Sequence, residues 1–206
     1  MGTLGSSTVI ECHSSSTISS CRYDGGGLIG RATNSHVSFC SSSGAIASEH
    51  LSARFGGLIG SMSACDIANC FSMSPILCAN STEDIGGLVG RAESSAIKNC
   101  YAAGTISWEP YHHVENAGGL LGRVFNSEVA DCFWDTVATS LSHSDGGIAL
   151  GTLDMQDVHT YVGAGWPFVN GLNSLERGWQ MPDEEGYPIL SGSISSGPVD
   201  LPGQGT

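Results

Sequence analysis

Gly86-Gly-Leu-Val-Gly-Arg-Ala-Glu-Ser-Ser-Ala-Ile-Lys-Asn-Cys100-Tyr-Ala-Ala-Gly-Thr-Ile106 sets the fold, because the same pattern returns along the chain. Its opening phrase recurs as Gly26-Gly-Leu-Ile-Gly30, Gly56-Gly-Leu-Ile-Gly60 and Gly118-Gly-Leu-Leu-Gly122, and Gly2-Thr-Leu-Gly5 is a degenerate copy. Cys12, Cys40, Cys70, Cys100 and Cys132 then share one column, 28, 30, 30 and 32 residues apart. Val9, Val37, Ile67, Ile97 and Val129 stand three residues before the cysteine, and Ile18, Ile46, Ile76 and Ile106 six after it. From the first glycine of each full phrase to the cysteine the interval is always 14 residues, whereas from cysteine to the next glycine it runs 14, 16, 16 and 18. A constant half and an elastic half are the marks of a solenoid coil: strands must stack in register on the next coil, while a surface loop can grow.

The residue types are those of short strands and turns, so the expected architecture is an all-β, right-handed parallel β-solenoid of about five coils of ~30 residues. Leu28, Leu58, Leu88 and Leu120 would form one interior column, with rungs about 4.8 Å apart. The phrase's glycines are expected to supply positive φ at corners or tight packing. Arg31, Arg91 and Arg123 follow the phrase, with Ser61 the exception. Stacked arginines repel, so this column is expected to face solvent or to meet acidic partners.

Val37 and Cys40 are an odd number of residues apart, which on one continuous strand would put them on opposite faces. Either a corner intervenes or the cysteines point outward; free cysteine is so often buried that an internal thiol ladder is the expectation. Cys21, Cys65 and Cys78 occupy three different repeat positions and suggest no bridge, and no Cys-x-x-Cys spacing suggests zinc.

The 206 residues carry a formal charge of −13, with Lys98 and six arginines as the only permanent cations. Such acidity disfavours a nucleic-acid partner. No run of 18 apolar residues is present, so no membrane-inserted helix is expected, and no signal peptide is visible. Thr152 to Val162 is the one helix candidate, with Asp154 and Asp157 near its start.

Gly-Gly-Leu-hydrophobic-Gly followed by hydrophobic-x-x-Cys-aromatic resembles the GLUG repeat of bacterial and archaeal secreted and cell-surface proteins, over roughly residues 1–137. Cys132-Phe-Trp-Asp-Thr136, Gly165-Trp-Pro-Phe168, Trp179-Gln-Met-Pro182 and Gly186-Tyr-Pro-Ile-Leu190 resemble the segment that often ends such arrays. Residues 138–190 are therefore expected to be an aromatic-rich cap, and 191–206, rich in Ser, Gly and Pro, a tail or linker. The resemblance implies an extracellular, adhesin-like structural module and brings no catalytic residue with it.

The longest elastic loop, Ser107-Trp-Glu-Pro-Tyr-His-His-Val-Glu-Asn116, is the candidate binding segment. Trp108 and Tyr111 could stack on a sugar, with Glu109, His112 and His113 beside them. His112, His113 or Glu115 could hold a metal, but adjacent histidines on an extended chain point different ways. Asp24, Glu49, Glu83, Asp84 and Glu109 all fall in the elastic halves and are expected to be solvated loop charges with no basic residue accompanying them. Asp183-Glu-Glu185 could attract calcium but lacks the alternating ligand pattern of a calcium loop, so no cofactor is assigned. Neither Gly-x-Ser-x-Gly in a credible context nor His-Glu-x-x-His occurs, and no enzyme activity is expected. The partners in view are a surface glycan, a surface protein, or a second copy stacked end to end on an open solenoid edge.

Overall fold

The computed structural model describes residues 2–19, 23–48, 54–80, 82–169, 177–182 and 186–191. Cys21, Glu49, Asp183–Glu185 and the tail from 192 onward lie outside them. The chain coils as a parallel β-solenoid of about four turns. A partial first turn holds β1 (Thr3–Gly5), β2 (Thr8–Ile10) and β3 (His13–Ser14). Three turns with five strands each follow. The first has β4 (Asp24–Gly26), β5 (Ile29–Thr33), β6 (His36–Ser38), β7 (Ser41–Ser42) and β8 (Ile46–Ser48). The second has β9 (Arg54–Gly56), β10 (Ile59–Ser63), β11 (Asp66–Ala68), β12 (Phe71–Ser72) and β13 (Ile76–Cys78). The third has β14 (Thr82–Gly86), β15 (Val89–Glu93), β16 (Ala96–Lys98), β17 (Tyr101–Ala102) and β18 (Ile106–Trp108). A last partial turn holds β19 (Val114–Gly118), β20 (Leu121–Phe125), β21 (Glu128–Ala130) and β22 (Phe133–Asp135).

Like strands stack into five sheets: A (β1-β5-β10-β15-β20), B (β2-β6-β11-β16-β21), C (β3-β7-β12-β17-β22), D (β8-β13-β18) and E (β4-β9-β14-β19). The registers reproduce the sequence columns, with Ile67 opposite Val37 and Ile97, and Ile76 opposite Ile46 and Ile106. All the variable length falls between sheets D and E, where a longer loop displaces no rung.

The corner between Val37 and Cys40 resolves the odd spacing. Glu11, Phe39, Asn69, Asn99 and Asp131, each immediately before a cysteine, have φ between 52° and 56°. A second row, Ser6, Asn34, Ala64, Ser94 and Asn126, turns the chain from sheet A to sheet B with φ between 47° and 52°. Asn tolerates this left-handed region better than most residues, which fits its frequency in these rows. Each corner turns the following cysteine inward. Cys40, Cys70, Cys100 and Cys132 are buried with Leu58, Leu88 and Leu120, while Cys12 and Leu28 at the first turns are partly covered. The thiols of Cys40, Cys100 and Cys132 donate at 3.1 Å to the carbonyls of Ser38, Lys98 and Ala130, satisfying acceptors at the bend. Cys12, Cys40, Cys65, Cys70, Cys78, Cys100 and Cys132 are all free thiols.

Of the two roles expected of the phrase's glycines, positive φ or tight packing, the structure shows tight packing. Among the described glycines only Gly147 and Gly165 have positive φ. Those of the phrase permit backbone to approach backbone: a Cβ on Gly87 would stand 2.1 Å from the Gly119 carbonyl oxygen and 2.8 Å from Ala102 Cβ. The turn from sheet E to sheet A thereby presses on sheet C and divides the interior into two lobes, and Gly86, where an added Cβ would stand 2.0 Å from Val89 O, lets sheet E fold tightly against sheet A. Sheets A, B and C enclose the Leu, Val/Ile and Cys columns; sheets D and E enclose Ile46, Phe55, Ile76, Cys78, Ile85 and Ile106.

After β22 comes α1 (Thr136–Thr139), capped by the Asp135 carboxylate, which accepts from the amides of Val137 and Ala138 at 2.7 and 2.9 Å. The chain then covers the end of the solenoid. Gly119 N donates to His143 O, the amides of Leu120 and Leu121 donate to Ser144 Oγ, and β23 (Ile148–Leu150) adds to sheet C beside β22. The helix expected over Thr152 to Val162 is two helices, α2 (Thr152–Met155) and α3 (Val158–Gly163). Asp157 divides them, because it holds extended φ/ψ and its side chain caps α3 through His159 N.

Beyond α3 the chain runs back along the outer side of sheet C instead of over its end. Trp166 Nε1 donates to Asp131 O, Tyr101 Oη to Pro188 O, Trp179 Nε1 to Asn69 Oδ1, and Arg177 pairs with Glu11. A two-stranded antiparallel pair, β24 (Trp179–Gln180) and β25 (Ile189–Leu190), holds this strap together. Under it Phe71, Tyr101 and Phe133 form an aromatic column with Tyr161, Trp166 and Trp179; Phe71 and Tyr101 stack at 5.0 Å.

Candidate functional site

Inside the solenoid the ionisable groups are scaffold. Burial pushes the Cys70 and Cys100 thiols far above the ordinary range and Cys78 up to about 11, so these sulfurs are neutral packing atoms at physiological pH. Burial likewise raises the Tyr101 and Tyr161 hydroxyls, which serve as donors to Pro188 O and Met155 O.

The loop singled out by sequence is built outward from sheet D. Glu109 N donates to Cys78 O on the rung before, a turn closes through His112 N to Glu109 O, and Thr82 N donates to His113 O on the way into sheet E. Trp108 is half-buried, packed against the Ile76/Ile106 lobe, whereas Tyr111 is 97% exposed and Glu109 and His113 are exposed. His112 is half-buried. Among the described residues neither Trp108 nor Tyr111 has an aromatic neighbour, and no group of three His, Cys, Asp or Glu side chains is placed to hold a metal ion. The loop thus offers a single projecting ring, not a two-ring platform.

A more organised polar surface lies where sheet E meets sheet A. Two residues before each phrase stand Asp24, Arg54, Asp84 and Asn116, in register on successive rungs of sheet E. Beside them on sheet A run Arg31, Ser61, Arg91 and Arg123. Where the second column lacks its arginine, the first supplies one. Arg31 Nε donates to Asp24 Oδ2 at 2.6 Å, and Arg54 Nε lies 3.5 Å from Asp24 Oδ1 and donates to Glu83 Oε2 at 3.2 Å. Asn116 Nδ2 donates to Asp84 Oδ1 at 2.7 Å, and Arg91 Nη1 lies 3.9 Å from Asp84 Oδ2.

These contacts correct two expectations. Asp24 and Asp84 are not solvated loop charges: both are buried strand residues, Asp84 with no exposed surface. Basic residues do accompany the acids of the elastic half, because the fold brings sheet A's arginines against sheet E. In the arginine column Arg31 pairs with Asp24 and Arg91 lies 3.9 Å from Asp84, whereas Arg123 is exposed, so both expected outcomes occur in it. Asp84 Oδ2 is buried without a hydrogen bond, and desolvation raises the carboxyl's pKa despite the opposing influence of Asn116, Arg91 and Arg123.

Ser61 leaves a gap between Arg31 and Arg91. The resulting open cavity of about 310 Å³ is lined by Arg31, Arg54 and Arg91, the hydroxyl residues Thr33, Ser61 and Ser63, and Glu93. Sequence reasoning missed Arg54 because it was not aligned on the glycines; set at the same offset as Asp24 and Asp84, it fills the place left by Ser61.

Residues 81–107 match the family model of the GLUG motif, the segment formed by β14 to β18 and the turns between them. No curated protein and no solved structure matches the chain at a significant level.

Proposed function

We propose that this repeat module works as a non-enzymatic, extracellular structural and adhesive element that holds a partner on the side of the solenoid. One observation carries this: stacking consumes the interior, and the organised polar concavity lies outside, across the Arg31, Ser61 and Arg91 rungs. Burial holds the Cys70, Cys78 and Cys100 thiols and the Tyr101 and Tyr161 phenols neutral, which fits packing rather than acid–base work for these groups. A saccharide is the favoured partner, because guanidinium, hydroxyl and carboxylate groups together match a hydroxylated surface. The exposed Tyr111 is a second contact for the same partner class.

Self-stacking end to end has less support. It requires the β1–β3 edge of one copy to dock on the β19–β22 end of the next. At the other end His143, Ser144 and β23 already occupy backbone groups that a second copy would need.

The test is a panel of immobilised neutral and acidic glycans exposed to the intact chain, with release of reducing ends followed in parallel. Saturable binding without turnover is expected. Turnover of a bound glycan, or binding to none, would overturn the reading; mass rising with concentration in sedimentation would favour self-stacking instead.

A further inference from the structure

The gap at Ser61 has the properties of a ligand site, not merely of an omission in a ladder. Three of the six arginines of a chain with formal charge −13 converge on it. Arg31 and Arg91 are two rungs apart, about 10 Å at the usual strand spacing, with Arg54 entering from sheet E between them. Their guanidinium groups are partly open, with side-chain exposures of 48% for Arg31, 27% for Arg54 and 32% for Arg91. Each fork has five N–H donors. Carboxylate contacts engage Nε and Nη2 of Arg31 and Nε of Arg54, while Arg91 stands 3.9 Å from Asp84, beyond hydrogen-bond distance.

The second, independent observation is Asp84 itself. Its Oδ2 atom is buried without a hydrogen bond; Arg91 Nη1 pairs with it only at ion-pair distance, 3.9 Å, so no hydrogen bond to Asp84 occupies the Arg91 donors. The rim then selects the ligand. Glu93 repels a second negative charge but accepts hydrogen bonds from hydroxyls, and Thr33, Ser61 and Ser63 give and accept them. Glu83 and Glu93 penalise every added negative charge, so a polyanion is disfavoured more than one oxyanion flanked by hydroxyls.

We propose that the Ser61 cavity binds a singly charged oxyanion carried by a saccharide, a carboxylate or sulfate group held among Arg31, Arg54 and Arg91. This rests on the lateral-face reading above and names its ligand.

The test is isothermal titration of the intact chain with sodium glucuronate, glucose, inorganic sulfate and a glutamate-rich peptide, at two salt concentrations. Glucuronate is expected to bind, more weakly at higher salt; glucose is not, and sulfate is expected to bind more weakly than glucuronate. Arg31→Ser should weaken glucuronate binding about tenfold or more, since it removes a charge-assisted fork while Asp24 keeps Arg54. Arg31→Lys keeps the charge without the fork and should fall between. Circular dichroism and melting of both variants separate lost binding from lost fold. Glucuronate binding no better than glucose, or an unchanged affinity in folded Arg31→Ser, would overturn the proposal. Sulfate equal to glucuronate would remove its saccharide half, and a tighter peptide would replace the saccharide with an acidic protein. If neutral glycans bind the chain but glucuronate does not, the oxyanion site fails and the lateral-face reading stands; if nothing binds, both fail.

Discussion

Replacing Gly87 by alanine adds one methyl group at the place where the coil is narrowest. The new Cβ would stand 2.1 Å from Gly119 O, 2.8 Å from Ala102 Cβ and 3.2 Å from Gly119 C. Carbon atoms in good contact sit roughly 3.5–4.0 Å apart, so the obstruction exceeds 1 Å against backbone, which has no rotamer to escape into. The rung at Gly118–Leu120 must move, at the expense of Gly87 N to Gly118 O (3.2 Å) and Leu88 N to Leu120 O (2.8 Å). Overpacking costs about 1–3 kcal/mol and each lost rung bond about 1 kcal/mol, a sum of roughly 3–5 kcal/mol. At about 2–4 °C per kcal/mol for a chain of this size, Tm should fall by roughly 6–20 °C. Gly163→Ala is the control: nothing lies within 4 Å of its added Cβ. It should be neutral or stabilising by up to about 1 kcal/mol. Differential scanning calorimetry of both variants measures the contrast. A Gly87→Ala protein melting within about 2 °C of the parent, with the control as expected, would refute the close-approach role of the phrase.

Two further outcomes follow from the buried ionisable groups. Asp84→Asn should be more stable than the parent near pH 7, because the parent's carboxyl has a raised pKa and must be held ionised against desolvation; Asn116, Arg91 and Arg123 offset this only in part, and Glu83 adds to it. Since the folded pKa lies above the unfolded value of about 3.9, the parent recovers stability as pH falls through the folded pKa. Urea denaturation should therefore show the difference shrinking between pH 7 and pH 4; a constant difference would contradict the desolvation account. Iodoacetamide labelling read by mass spectrometry should modify half-covered Cys12 first, while Cys70 and Cys100 react only at the rate of unfolding. Equal labelling of all three in the folded protein would contradict the internal ladder.

The sequence made the coil legible because stacking demands identity: a residue on one rung meets its counterpart on the next, so columns of Leu, Ile and Cys were visible without coordinates. The corners were open in one respect. Glycine was expected to supply either left-handed turns or tight packing, and it supplies the packing; Asn34, Asn69, Asn99 and Asn126 sit in the turns, and the asparagine before Cys70 and Cys100 was the available signal. The strap could not be foreseen: Trp179 to Asn69 and Tyr101 to Pro188 join positions 110 and 87 residues apart with no period to betray them. The charged face was half visible. Its arginine column was recognised, but its partners were filed as loop acids, because only the fold of sheet E onto sheet A brings the two columns together. Trp108 was legible as an aromatic of the loop, while its packing against the Ile76/Ile106 lobe was not.

The outer face of sheets E and A is the surface proposed to engage the partner, with the interior as scaffold. Amide chemical-shift mapping of the intact, isotope-labelled chain during a glucuronate titration tests it most directly. Saturable shifts are expected at Thr33, Ser61, Ser63 and Arg91, larger than any at Trp108 to His113. Shifts confined to Trp108–His113, or none at any residue, would contradict it.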